Sequence, residues 1–84
     1  MYKRQVYNYT VADTEDGALI KALRDKAAEF KAQQRELITQ EPEFMNESKP
    51  LLVKAGLGLK YLYTSQTTGE TMDFIFTPEE VENL

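Results

Sequence analysis

The side chains able to do chemistry in this chain are carboxylates and lysines, because it contains no histidine and no cysteine. The usual general base at neutral pH, the thiol nucleophile and the common zinc ligands are therefore missing. Acidic residues gather at Asp13, Glu15 and Asp16, at Glu41, Glu43 and Glu47, and at Glu79, Glu80 and Glu82. The first and last groups stand where helices should begin, and negative charge there complements the positive end of a helix dipole without any metal. A calcium loop does not fit: setting Gly17 at that loop's invariant glycine puts Ala12 at the first ligand and Leu23 where a bidentate glutamate belongs. Gly56 and Gly58 precede a strand pattern instead of following one and lack a lysine-serine pair, so they do not make a phosphate loop. Neither enzyme activity, a metal nor a cofactor is expected.

The element that must position everything else is the stretch from Thr14 to Gln40. Ile20, Leu23, Ala27, Phe30, Gln34 and Leu37 recur at helical spacing, Leu19 and Ile38 widen the stripe, and Lys21, Arg24, Asp25, Lys31, Arg35 and Glu36 face the other way. The pattern predicts one long amphipathic helix, capped by Asp13 and Thr14 and ended before Pro42. Ahead of it, residues 6–12 alternate as a strand with Tyr7, Tyr9 and Val11 on a buried face. Behind it, residues 41–47 connect to a short helix over Lys49 to Ala55, capped by Ser48 and closed by Gly56, with Leu57 folding back on Leu52. A hairpin follows. Only an even loop, Gln66 to Gly69, sets Tyr63 against Met72, Tyr61 against Phe74 and Leu59 against Phe76. Thr77, Pro78 and Glu80 then carry a capping-box helix start.

The predicted fold is α+β: strand, long helix, short helix, β-hairpin and C-terminal helix stub, a three-stranded sheet with the dominant helix packed on one face. Eighty-four residues, 42% hydrophobic and 29% charged, suit a single small domain, and the stub suggests either a short terminal helix or a truncated chain, a fragment. The helix would span roughly 40 Å and the strands only about 26 Å, so its second half must overhang the sheet. Gln34, Leu37, Ile38, Phe44 and Met45 are accordingly the candidate partner-binding residues. They would bind another protein or a second copy, unless Phe44, Met45, Leu51, Leu52 and Val53 cover the overhang. On this reading Leu37→Asp or Ile38→Asp impairs assembly, whereas Leu23→Asp unfolds the domain.

The formal charge of −4 is the wrong sign for a protein held mainly by nucleic-acid phosphates. The first five residues, Met-Tyr-Lys-Arg-Gln, translate GTG TAT AAG AGA CAG, with GTG as start codon, the transposase end used in sequencing-library preparation. A sequencing or cloning scar is expected there, which would leave eight basic residues against fourteen acidic ones, the alternative being that Tyr2 to Gln5 begin the first strand. No secretory pattern or membrane-length apolar run occurs, and with no disulfides the expected location is cytoplasmic.

The aromatic strands allow a second reading. Tyr61 and Tyr63 could stack single-stranded bases while Lys54 and Lys60 meet phosphates. The amphipathic stripe needs this same sheet face, so a core role is favoured. Pro50-Leu51-Leu52 followed by Gly56-Leu57, between a helix and a hairpin, resembles the "PLL…GL" element of ERF-type phage single-strand annealing proteins. Gly69-Glu70 resembles their later "SGE" turn, although no tryptophan follows Glu70. The likeness spans residues 50–70 and implies single-stranded nucleic-acid binding. The primary expectation is a small, acidic, non-catalytic protein-interaction module of phage or bacterial accessory type, and the alternative is an annealing-type fragment.

Overall fold

A computed structural model describes residues 3–84. The chain forms β1 (Arg4–Val11), α1 (Ala18–Asp25), α2 (Ala27–Thr39), a π-helical segment (Phe44–Ser48), α3 (Lys49–Ala55), β2 (Gly58–Ser65), β3 (Thr71–Phe76) and α4 (Pro78–Glu82). The α+β architecture is as expected, and the three strands lie in the order β1-β2-β3. β1 runs parallel to β2 from Arg4 opposite Gly58 to Val11 opposite Ser65. β3 returns antiparallel, with Leu59 opposite Phe76, Tyr61 opposite Phe74 and Tyr63 opposite Met72. That is the register an even loop requires, and the Ser65 amide donating to the Glu70 carbonyl at 2.8 Å closes the four-residue loop.

The odd-numbered residues of β2, Leu59, Tyr61, Tyr63 and Ser65, are buried, as are the even-numbered Met72, Phe74 and Phe76 of β3. These form the face on which the helices lie. Phe30 meets Tyr63 and Phe74 edge-on, at centroid distances of 5.1 and 5.4 Å. Phe76, Ile20, Leu59 and Val81 are the largest fully buried side chains. The opposite face carries Lys60, Leu62, Thr64 and Ile75, all half-buried.

The long helix forms in two pieces, parted at Lys26, whose φ of −109° and ψ of 28° leave helical geometry. Hydrogen bonding continues across the break, from the Lys26 amide to Ala22 at 3.1 Å and from the Phe30 amide to Lys26 at 2.9 Å. The break lets α1 sit over β2 and β3 while α2 runs on to β3 and the π-helical segment. No glycine or proline in the local sequence marks it, so periodicity alone reads as one helix.

The N-terminus of α1 also differs, because Thr14 to Gly17 make a turn before the helix begins. Asp13 still reaches the free amides, its Oδ1 accepting from Leu19 N at 2.8 Å and its Oδ2 from Ile20 N at 3.2 Å. Thr14 Oγ1 accepts from Ala18 N at 3.0 Å. Gly17 is held at φ 74°, and a Cβ there would lie 3.0 Å from Thr68 Cγ2. Gly56 sits at φ 67° with nothing within 4 Å of such a Cβ. Gly17→Ala should therefore destabilise by about 1–2 kcal/mol from left-handed backbone strain, plus the displacement of Thr68. Gly56→Ala should carry only the backbone part, so equal losses in thermal melts of the two variants would refute the close-contact argument.

Ser48 does not begin a helix. Residues 42 and 43 are already helical, and the Lys49 amide donates to Phe44 across a π turn. In a regular helix the Pro50 ring would press on the carbonyl four residues earlier, and the wider π turn makes room for it. The predicted close at Gly56 is present, with Leu57 N donating to Leu52 O at 2.9 Å. The capping box of α4 is also present, Glu80 N donating to Thr77 Oγ1 and Thr77 N to Glu80 Oε1, both at 3.2 Å.

Candidate interaction surface

Asp13, Asp16 and Glu80 of the first and last acidic clusters are engaged by the fold, while Glu41, Glu43 and Glu47 are exposed. Besides its helix amides, Asp13 Oδ2 accepts from Ser65 Oγ at 2.7 Å, and Ser65 is the buried polar residue of the core. Thr67 donates to the Thr14 carbonyl, joining the start of α1 to the β2-β3 loop. Burial pushes the Asp13 carboxyl up, but the bonds from Ser65, Leu19, Thr14 and Ile20 outweigh it and hold the group below its ordinary range. Asp16 is lowered first by the Thr14 hydroxyl, and Glu80 first by Lys31, whose Nζ lies 2.7 Å from Oε2. Among the described residues no group of three or more acidic side chains is arranged to hold a metal ion.

The residues expected to bind a partner at the helix overhang are largely consumed by the chain itself. Ile38 is 5% exposed and Phe44 8%, both inside the core, and Met45 packs against them. Gln34 is half-buried and hydrogen-bonds the Tyr61 hydroxyl. Of the five, only Leu37 stands clear, at 58% exposure. The physical reason is that the π-helical segment packs against α2 and shares the core with Ile38, while Leu37 lies outside it. α4 supplies the rest of the cover through Val81, the Lys31–Glu80 pair and a bond from Arg35 to the Asn83 carbonyl at 3.2 Å. The overhang is thus filled internally, and the cover extends beyond the expected Phe44–Val53 stretch.

The nucleic-acid constellation does not come together either. Tyr61 and Tyr63 are 3% and 8% exposed beneath the helices, and burial pushes the Tyr61 phenol up to about 12. Lys60 is on the other sheet face, paired with Asp73 at 3.4 Å, while Lys54 is exposed on α3. Pro50, Leu51 and Leu52 are consecutive residues of α3, with Leu52 buried and Leu51 68% exposed.

The surface left open is β1. A buried face of Tyr7, Tyr9 and Val11 was expected, yet Tyr9 is 44% exposed and Tyr7 and Val11 are only half-buried, because the helices stand over β2 and β3 and stop short of the edge strand. The two rings stack along the sheet instead, Tyr7 on Tyr61 at 5.2 Å and Tyr9 on Tyr63 at 5.1 Å. On the reverse face Val6 is 46% exposed. The backbone adds to this. Lys3 and Val11 turn their carbonyls towards β2, accepting from Gly58 N and Gln66 N at 3.0 Å. Strand alternation then aims the N–H and C=O groups of Val6, Asn8 and Thr10 outward, along the free edge. From Gln5 to Ala12 there is no charge and no proline. Beside the start of this edge, Gln5, Ser48, Leu51, Leu52, Ala55 and Leu57 line an open groove of about 430 Å³.

The exposure of β1 was missed in the sequence because alternation shows which side chains share a face and not how far a helix reaches across it. No family model, no curated protein and no solved structure matches the chain. No helix among the described residues is long and apolar enough to cross a membrane.

Proposed function

We propose that this protein is a small, acidic, non-catalytic interaction module that works in the cytoplasm by binding another polypeptide through the β1 edge of its sheet. The observation that carries the reading is an edge strand in which the outward backbone groups of Val6, Asn8 and Thr10 face no other strand among the described residues, with an uncharged sequence from Gln5 to Ala12 and apolar surface on both faces. Natural sheets usually blunt such an edge with lysine, proline or a covering loop, since an open edge recruits a further strand. Here those devices are missing between Gln5 and Ala12. Support for the annealing alternative is reduced to the exposed ring of Tyr9 and the half-buried ring of Tyr7.

Affinity capture from the source cells with three forms of the protein tests this. Asn8→Pro blocks the edge while leaving the bonds to β2 intact, because the Asn8 amide faces outward. Leu51→Asp changes the other prominent apolar surface. A polypeptide partner should be lost with Asn8→Pro and kept with Leu51→Asp, and the reverse pattern would move the binding surface to α3. Salt-sensitive retention of single-stranded DNA that disappears in Tyr9→Ala would instead install the annealing reading.

A further inference from the structure

Resting on the β1 reading, we propose that the occupant of this edge is a second copy of the chain, paired antiparallel about a two-fold axis through Asn8. The segment Val6-Tyr7-Asn8-Tyr9-Thr10 is a chemical palindrome: tyrosine flanks asparagine on each side, and outside them stand valine and threonine, two β-branched side chains of nearly the same shape. A strand pairing with its own copy sets residues equidistant from the axis against each other twice, and the palindrome makes each of these pairs one of like shape.

The outward backbone groups agree with that register. Val6, Asn8 and Thr10 present their amides and carbonyls to the edge, so Asn8 meets Asn8 of the second copy as a hydrogen-bonded pair, and Val6 meets its Thr10 in the same way. Tyr7 then stands directly opposite the other Tyr9 in the closer, non-hydrogen-bonded spacing. Opposed residues share a face, so the stacked rings of Tyr7, Tyr9, Tyr61 and Tyr63 would continue into the same four of the other copy. The half-covered rings lose their exposure, and the helices over β2 and β3 leave the space free. The sheet becomes six strands, β3-β2-β1-β1-β2-β3.

Charge favours the same alignment. Two chains of net charge −4 repel, but the pairing brings them together through an uncharged run. The central pairs from Val6 to Thr10 do not depend on residues 1–5, so the expected scar is outside the part that sets the register.

Single cysteines test the register directly, since the chain has none of its own. Under mild oxidation Asn8→Cys should form an inter-chain disulfide, its Cα atoms being about 5.5 Å apart. Thr10→Cys alone should not, because two such residues would be about 14 Å apart along the strands. A mixture of Val6→Cys and Thr10→Cys chains should give the mixed dimer. Light scattering should show twice the 9.7 kDa chain mass for the unmodified protein and a folded single chain for Asn8→Pro. A unmodified protein that stays monomeric at its highest attainable concentration overturns the second copy. So does cross-linking of Thr10→Cys as efficient as that of Asn8→Cys, or a folded Asn8→Pro that remains dimeric. If Asn8→Pro fails to fold, the cysteine pattern decides alone. A monomer whose polypeptide partner is still lost with Asn8→Pro refutes self-pairing while leaving the edge-binding function standing.

Discussion

Ile38→Asp is expected to unfold the protein, while Leu37→Asp, one residue earlier, should leave its melting temperature almost unchanged. The two positions are adjacent on α2, yet Ile38 is 5% exposed and Leu37 58%. At position 38 a carboxylate would lie among Phe44, Leu52 and the other apolar residues of the core, losing the isoleucine's packing and gaining a buried charge without a partner. Such a change costs about 3–5 kcal/mol, a large part of the stability of a domain this small. At position 37 the carboxylate stays in water, and surface changes of that kind fall within about 0.5 kcal/mol. Urea unfolding followed by circular dichroism measures both. Similar losses would mean that the face of α2 turned to the π-helical segment is wrongly assigned. This replaces the expectation from sequence, which put both residues in one partner-binding patch.

The second large effect is the response to acid. Asp13, Asp16 and Glu80 are all held below their ordinary range, by hydroxyl and amide donors at the first two and by Lys31 with Thr77 at the third. A carboxylate depressed in the folded state contributes stability that is fully present above its unfolded pKa and is lost as pH falls through the folded one. With unfolded values near 4, stability should be flat from neutral pH to about 5 and decline below about 4. Asp13→Asn should lower the plateau and flatten the decline, since it removes the charge that gathers the Leu19 and Ile20 amides and the Ser65 hydroxyl. Glu15→Gln, an exposed neighbour outside that network, should leave the plateau at neutral pH unchanged. Urea midpoints measured across pH 2–7 test this, and a decline in Asp13→Asn as steep as in the unchanged protein would remove Asp13 from the account.

Local signals were legible where one residue type does one physical job. Thr77 and Glu80 specify a capping box, Gly56 a left-handed close, and alternation with an even loop fixes the hairpin register. What could not be read depends on where elements stop relative to one another. The break at Lys26 changes no residue's place in the stripe before Phe30, so periodicity is blind to it. The switch of the buried position to Ile38 follows from the direction in which the π-helical segment approaches, and that is a tertiary fact. The open edge was hidden for a related reason. Tyr7, Tyr9 and Val11 have the alternation of a buried face, and only the lateral position of the helices shows that the cover ends short of them.

The parallel pairing of β1 with β2 also sets an order in time. Arg4 finds Gly58 across 54 residues of chain, whereas Thr64 and Thr71 of the hairpin are only 7 apart. Closing the longer span costs about 2 kcal/mol more chain entropy, before the helices between have shortened it. Contacts that close long loops are made late, after local ones have formed. The hairpin and its helices are therefore expected to form first and offer β2 as a template, with β1 docking last. Until it does, the open edge of the sheet is β2, with Tyr61 and Tyr63 at its margin. The strand proposed to meet the partner is thus also the one that completes the fold.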